Sequence, residues 1–357
     1  MQQLSAIDAI GPAWNHTQKL LLSPARWPTL LKIGFVAVFA GASSGSFNYS
    51  NYNGFNPGGL HGGSGNPHFP PMHLPAVAAI ASVIAIVVVV VLVVWFAFLY
   101  LASRLQFVLF DLVLRRDTVI GPIWSRYGAA TWRWMGLKLL LSLAALIVLL
   151  PILIPTVIGF IHALSKGNAE SPNFAALLAG FFASFALILL VSLIVAVCSL
   201  LLHSFGLPSM ALEATPLQET VARVIRLVRA EPLQVFIFIV MRVVLAIAVA
   251  IAVAVVFFIA TLLLLIPFGG LGGVLWALMH HGDTATHVVM WCIIALLALV
   301  FFSIILAAGF MCSAVTGTFF QAYALYFLGG RYPLLGQILQ PTPIPPPLPY
   351  YPNPVIA

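Results

Sequence analysis

VFIFIVMRVVLAIAVAIAVAVVFFIATLLLLI (235–266) holds a single charge, Arg242, in 32 residues. As an α-helix it would extend about 48 Å, well beyond the roughly 30 Å of hydrocarbon in a bilayer. Water offers no stable surface for such a segment, so a helix crossing a membrane is the expected fate. Its central run VLAIAVAIAVAVV (244–256) mixes small and β-branched residues, and small residues let neighbouring helices approach closely.

The rest of the chain agrees with this segment. Of its 357 residues, 62% are apolar and only 6% are charged, too few to clothe a soluble protein of that size. Spans are expected near 28–43, 75–103, 137–163, 174–203, 233–266 and 288–328. The first of these, TLLKIGFVAVFAGAS (29–43), is short and contains Lys32, which can snorkel to the headgroups. The last two exceed the required length and are expected to tilt, bend or continue beyond the bilayer. Around these spans the basic residues are placed unevenly. Thirteen lie on one side of a six-span scheme, Lys166 lies opposite, and Arg242 lies within a span. The positive-inside rule then puts both termini in the cytoplasm, as in a multi-pass protein of a cell inner (plasma) membrane. The excess of 15 basic over 8 acidic residues is explained this way, without nucleic acid. The N-terminus lacks a basic n-region followed by an apolar h-region.

A short phrase occurs twice, as IGPAW (10–14) and IGPIW (120–124). Gly-Pro breaks one helix and starts another, and Trp favours the membrane interface. Each copy precedes a span that carries a basic residue near its mouth, Lys32 or Lys138. Before the fifth span stands ATPLQETVARVIRLVRAEP (214–232), with Arg242 in the corresponding place. Thr215 and Gln218 suit a capping box around Pro216. Leu217, Val221, Val224, Ile225 and Val228 form an apolar stripe, and Glu219 is spaced to pair with Arg223. An amphipathic helix lying in the interface is expected there. The fold class is therefore all-α: a polytopic bundle of six spans, built as three repeats of an interfacial helix plus a two-span hairpin. Residues 43–74 form a Gly/Asn/Pro-rich external loop. Residues 341–357 form a Pro-rich cytoplasmic tail that favours polyproline II.

The stretches AIGPAW…LLLSPARWPTLLKIG, FVLFDLVLRRD…PIWSRYG, PSMALEATPLQETVARVIRLVRAEPLQVF and FFQAYALYFLGGRYPLL, together with the proline tail, resemble a family of uncharacterised bacterial and archaeal six-span membrane proteins. Members of that family are sometimes described as similar to the membrane domain of glycerophosphodiester phosphodiesterases. The resemblance covers nearly the whole chain and is topological. It implies an integral membrane protein and supplies no active-site residues. The catalytic barrel of such phosphodiesterases needs about 250 residues, and no segment provides them.

Candidate sites are few. Lys32, Lys138 and Arg242 are ionisable residues in spans, where charge is costly and often functional. Because each sits near a cytoplasmic helix end, snorkelling is the competing explanation. If the three converged, they would form an anion-attracting vestibule. Outside, MHHGDTATH (279–287) gathers His280, His281, His287 and Asp283, which suits zinc or copper if the loop folds to converge them. His203 has no evident partner in sequence, and His162 lies at the opposite face, so a haem pair is not expected. Asp111 can pair with Arg115 one turn on. GGLGG (269–273), beside Pro267, should end the fifth span in a loop. The cysteines Cys198, Cys292 and Cys312 lie inside apolar runs without metal spacing and read as inert buried thiols. No phosphate-binding loop, dinucleotide fingerprint or nucleophile–base pair appears. Enzymatic activity, a cofactor and a resident metal are therefore not expected. The first expectation is a non-catalytic scaffold or subunit of a membrane complex, in contact with lipids and with itself or another membrane protein. The alternative is a channel or transporter for a small anion or lipid-like solute. A further alternative is an extracytoplasmic metal-binding protein.

Overall fold

A backbone in an apolar medium must satisfy its own hydrogen bonds, and a helix does so within one segment. Every regular element among the described residues is accordingly helical. The computed structural model describes residues 4–23, 26–42, 74–116, 121–165, 174–279 and 284–339. Of the expected loop 43–74, residues 43–73 lie outside them, as does the tail 341–357, while Leu74 begins a helix. Helix α1 (Ile10–Thr17) runs into a π-helical turn (Gln18–Leu22), followed by α2 (Trp27–Ala42), α3 (Leu74–Arg115), α4 (Gly121–Arg126) and α5 (Gly128–Ser165). Helix α6 (Phe174–Leu201) passes through a second π-helical turn (Leu202–Gly206) into α7 (Leu207–Leu212). The chain continues as α8 (Leu217–Ala230), α9 (Pro232–Met279), α10 (Thr284–Gly329) and α11 (Pro333–Leu339).

Among the described residues, five helices are long and apolar enough to cross a membrane: α3, α5, α6 with its extension, α9 and α10. With 16 residues, α2 is shorter than a full crossing takes. It packs between α3 and α10 through Leu30, Ile33, Val36, Ala37 and Ala40, all buried. Small residues permit this seam. A Cβ on Gly34 would fall on the Phe310 carbonyl, 2.5 Å from its carbon, and one on Gly317 would lie 2.8 Å from the Ala37 Cβ. The close approach of α2 and α10 therefore requires both glycines.

Burial changes abruptly along the long helices. In α3, Val83 to Trp95 are exposed, whereas Ala102, Leu105 and Phe107 to Leu114 are buried. The change falls after Leu137 in α5 and after Arg242 in α9, and α10 is buried from Ser313 to Leu328 apart from a few half-buried positions. The buried ends form one core, to which α1, α4, α7, α8 and α11 contribute. We call this part the base. Aromatic rings fill its centre: Phe238 stacks on Tyr323 at 5.1 Å and on Phe327 at 4.6 Å, and Phe107 meets Trp134 edge-on at 6.4 Å. Such pairs contribute about 0.5–1.5 kcal/mol each beyond the area they bury.

Several expectations change here. α9 does not stop at Pro267 or GGLGG but continues to Met279; without water to take up freed carbonyls, glycine-rich backbone keeps its helical bonds. The capping box does not form. Pro216 stands at the N-cap with no side-chain cap, and the Thr215 hydroxyl pairs instead with that of Thr220 at 2.8 Å. The amphipathic face of α8 packs largely on protein. Val224 is buried, Leu217, Val221, Leu227 and Val228 lie against the core, and Ile225 stays 45% exposed. The Glu219–Arg223 pair is present at 3.3 Å, and Arg223 also reaches Glu213 at 2.8 Å. The cysteines are free, with Cys198 and Cys292 exposed on helix surfaces rather than buried in protein.

The Gly-Pro phrases do begin short helices. Pro12 is the third residue of α1 and Pro122 the second of α4. Their tryptophans also rest on the protein: Trp14 meets the Phe319 ring edge-on at 6.2 Å, and Trp124 lies 4.6 Å beneath the Arg104 guanidinium.

Candidate functional site

Of the three basic residues singled out in the sequence, two converge. Ten residues into α5, Lys138 turns inward, where its Nζ donates to Gln106 Oε1 of α3 at 2.7 Å and lies 5.6 Å from the Trp134 ring. Trp134 Nε1 donates to the same oxygen at 2.6 Å, and Gln106 Nε2 donates to the Ala40 carbonyl at 2.8 Å. The amide is thus fixed with its oxygen toward α5. Lys32 is exposed on α2 and does not join.

The second side of the site comes from the π-helical turn after α6. Turns of this kind insert an extra residue into a helix and frequently mark functional positions. This one presents His203 and Ser204. The His203 ring lies 6.3 Å from that of Trp134, the ring that Lys138 Nζ approaches at 5.6 Å, and His203 adjoins Ser204, the partner of Arg242. Its Nδ1 is buried and has no hydrogen-bond partner among the described residues.

Arg242 of α9 closes the group. It does not snorkel. It is only 8% exposed, its Nη1 donates to Ser204 Oγ at 2.8 Å, and its guanidinium lies 5.6 Å over the Phe320 ring. Ion pairs among the described residues engage Arg115, Arg126, Arg223 and Arg331, and no carboxylate pairs with Arg242. A guanidinium stays charged under all ordinary conditions, and a buried charge without a counter-charge costs several kcal/mol. The serine hydroxyl and the phenyl face offset only part of that cost. Chemically, the arrangement is a buried cationic site able to attract an anion.

The remaining acidic and histidine candidates have other roles. Asp111 is fully buried, accepting from Arg115 Nε at 2.8 Å, Tyr127 Oη at 3.1 Å and Arg126 Nη1 at 3.4 Å. Burial, reinforced by the Asp111 charge, pushes the Tyr127 hydroxyl up to about 12. His16 of α1 donates from Nε2 to the Val113 carbonyl at 2.8 Å, which leaves Nδ1 to accept from the Tyr326 hydroxyl at 3.2 Å. Burial holds its imidazole below the ordinary value of 6.5. His280 and His281 lie outside the described residues, and His287 is part-exposed in the first turn of α10. Among the described residues, no three His, Cys, Asp or Glu side chains are grouped to hold a metal.

Gln106 and Ser204 were not foreseen. Gln106 is an uncharged residue between apolar neighbours, and its only sequence signal is being a polar residue just before FVLFDLVL (107–114). Ser204 directly follows His203, but only the wider π turn puts the two beside α9.

Five long apolar helices, with a polar cluster buried where they enter a common base, define a helical multi-pass membrane protein. Residues 4–338 match a family of unknown function, DUF7544, and the chain belongs to that family. No curated protein matches the chain, and no solved structure does.

Proposed function

We propose that this is a non-catalytic integral membrane protein that takes up an anionic solute, as a channel or transporter for a small anion or a lipid-like molecule. One observation carries the reading. Arg242 is buried with no carboxylate partner among the described residues, and it reaches Ser204 beside His203, whose ring lies 6.3 Å from the Trp134 ring that Lys138 approaches at 5.6 Å. A cationic site buried in low dielectric gains most when an anion supplies the missing charge. In this proposal α2 completes a sixth crossing and the hairpins α2–α3, α5–α6 and α9–α10 are three repeats. The thirteen basic residues then put the base and both termini on the cytoplasmic side of the inner membrane.

Flux of anions from liposomes containing the purified chain tests the reading. Wild type should carry anions and Arg242→Gln should carry them at least tenfold more slowly. Equal flux in the two proteins, or none in either, removes the proposal. A scaffold role is the second reading, favoured by the outward faces of α5 and α6, exposed at Leu143, Ile147, Phe182 and Phe185. A native mass measurement that finds only monomer would remove it.

A further inference from the structure

We infer that the anion taken by the Lys138–His203–Arg242 site is the phosphate of an anionic membrane lipid. The inference rests on the anion-binding reading above and names the ligand class for that same site.

The first argument is depth. Helix α6 has 28 residues and extends about 42 Å, close to the roughly 40–45 Å of a bilayer with its headgroups. His203 and Ser204 stand two and three residues beyond its last residue, so with α6 upright across the bilayer they come to the level of the lipid phosphates. The same level is marked independently on two other helices. α5 turns from buried to exposed between Leu137 and Leu139, either side of Lys138, and α9 does so between Arg242 and Val243. Three helices thus bring their cation or imidazole to one plane, the rim between the protein base and the exposed apolar helix surfaces.

The second argument is access. Lys138 and the His203 ring are half-buried, the His203 Nδ1 itself is buried, and Arg242 is only 8% exposed. A headgroup arriving sideways from the bilayer would meet the lysine and imidazole first and the guanidinium last.

The third argument is valence. A guanidinium presents paired donors that match the oxygens of a phosphate, whereas a lysine acts as a point charge. These two, with the unpartnered Nδ1 of His203, sit on separate elements. A monoatomic anion reaches one such group well; a phosphate has oxygens for several. Lipid phosphate and free phosphate share this chemistry and differ in the apolar chains that anchor the former to the exposed helix faces.

The test uses the full chain in neutral detergent and follows its thermal midpoint. The probes are dihexanoyl phosphatidic acid, dihexanoyl phosphatidylcholine, inorganic phosphate and chloride, at matched ionic strength. Phosphatidic acid should raise the midpoint by several degrees, with half-effect at least tenfold below that of inorganic phosphate and of the zwitterionic lipid. Arg242→Gln should raise the half-effect concentration at least tenfold, and Lys138→Met provides the same comparison should the arginine variant fail to fold. Inorganic phosphate acting at equal or lower concentration overturns the lipid assignment in favour of a free phosphate. Chloride acting as well as phosphatidic acid overturns the phosphate assignment while leaving the anion-binding reading intact. No response to any anion, or an unchanged response in both variants, overturns both.

Discussion

Replacing Gly34 by alanine adds one methyl group where α2 touches the backbone of α10. The new Cβ would stand 2.5 Å from the Phe310 carbonyl carbon and 3.1 Å from its Cα, against an optimum near 3.5–4.0 Å. Backbone cannot rotate out of the way as a side chain can, so α2 must withdraw by about 1 Å. A gap of about that size forfeits a quarter to a half of each contact's attraction. The residues affected are Leu30, Ile33, Val36, Ala37 and Ala40, the buried face of α2. Lipid or rearranged side chains recover part of the loss, which leaves a destabilisation of about 2–4 kcal/mol. Unfolding in mixed detergent, followed by tryptophan fluorescence, measures it. Gly136→Ala serves as the control, because a Cβ there has nothing within 4 Å; helix propensity should make it neutral or better by up to about 1 kcal/mol. Equal stability of Gly34→Ala and wild type would refute the close α2–α10 seam.

Other outcomes follow from the base. Substituting Arg242→Met removes a buried charge that has no counter-charge among the described residues, so without bound anion stability should hold or rise by up to about 2 kcal/mol; a large loss in a denaturant titration would contradict the account of the site. The pH dependence of stability should carry a signature of His16. Its folded value is depressed below 6.5 by burial and by the Arg116 charge. The unfolded chain therefore binds the proton first, and the stabilisation present above about pH 6.5 is lost as pH falls below it. Midpoints measured across that range should show a loss that His16→Gln lacks. Arg331 ties three parts of the base, donating to Glu231 Oε2 at 2.7 Å and to the Leu4 and Phe327 carbonyls at 3.1 and 2.8 Å. Arg331→Ala should lower stability by about 2 kcal/mol, read from the same titrations, and a change within 0.5 kcal/mol (about the scatter of an ordinary surface substitution) would speak against the tie.

The class of the fold was legible because the solvent dictates it. Runs such as 235–266 contain almost nothing that water could hold, and helix is the form that satisfies an isolated backbone in lipid. The pairs Asp111–Arg115 and Glu219–Arg223 were legible for a similar reason, since one helical turn fixes their spacing. Helix ends were less so. GGLGG and Pro267 would interrupt a helix in water, yet the segment continues, because in an apolar medium leaving the helix costs more than glycine's entropy or one missing proline bond.

What sequence alone determined is how much of this chain belongs in lipid, and which residues carry charge near helix ends. Whether a charge there reaches outward or inward depends on the neighbours that other helices bring, and those are set only in three dimensions. Lys32 lies exposed, Lys138 turns to Gln106, and Arg242 turns to Ser204, although all three sit in the early turns of their helices. The amphipathic stripe of α8 is the same lesson in apolar form. Its periodicity specifies a face to be covered, and the base covers much of it, because burial against closely packed side chains gains dispersion contacts.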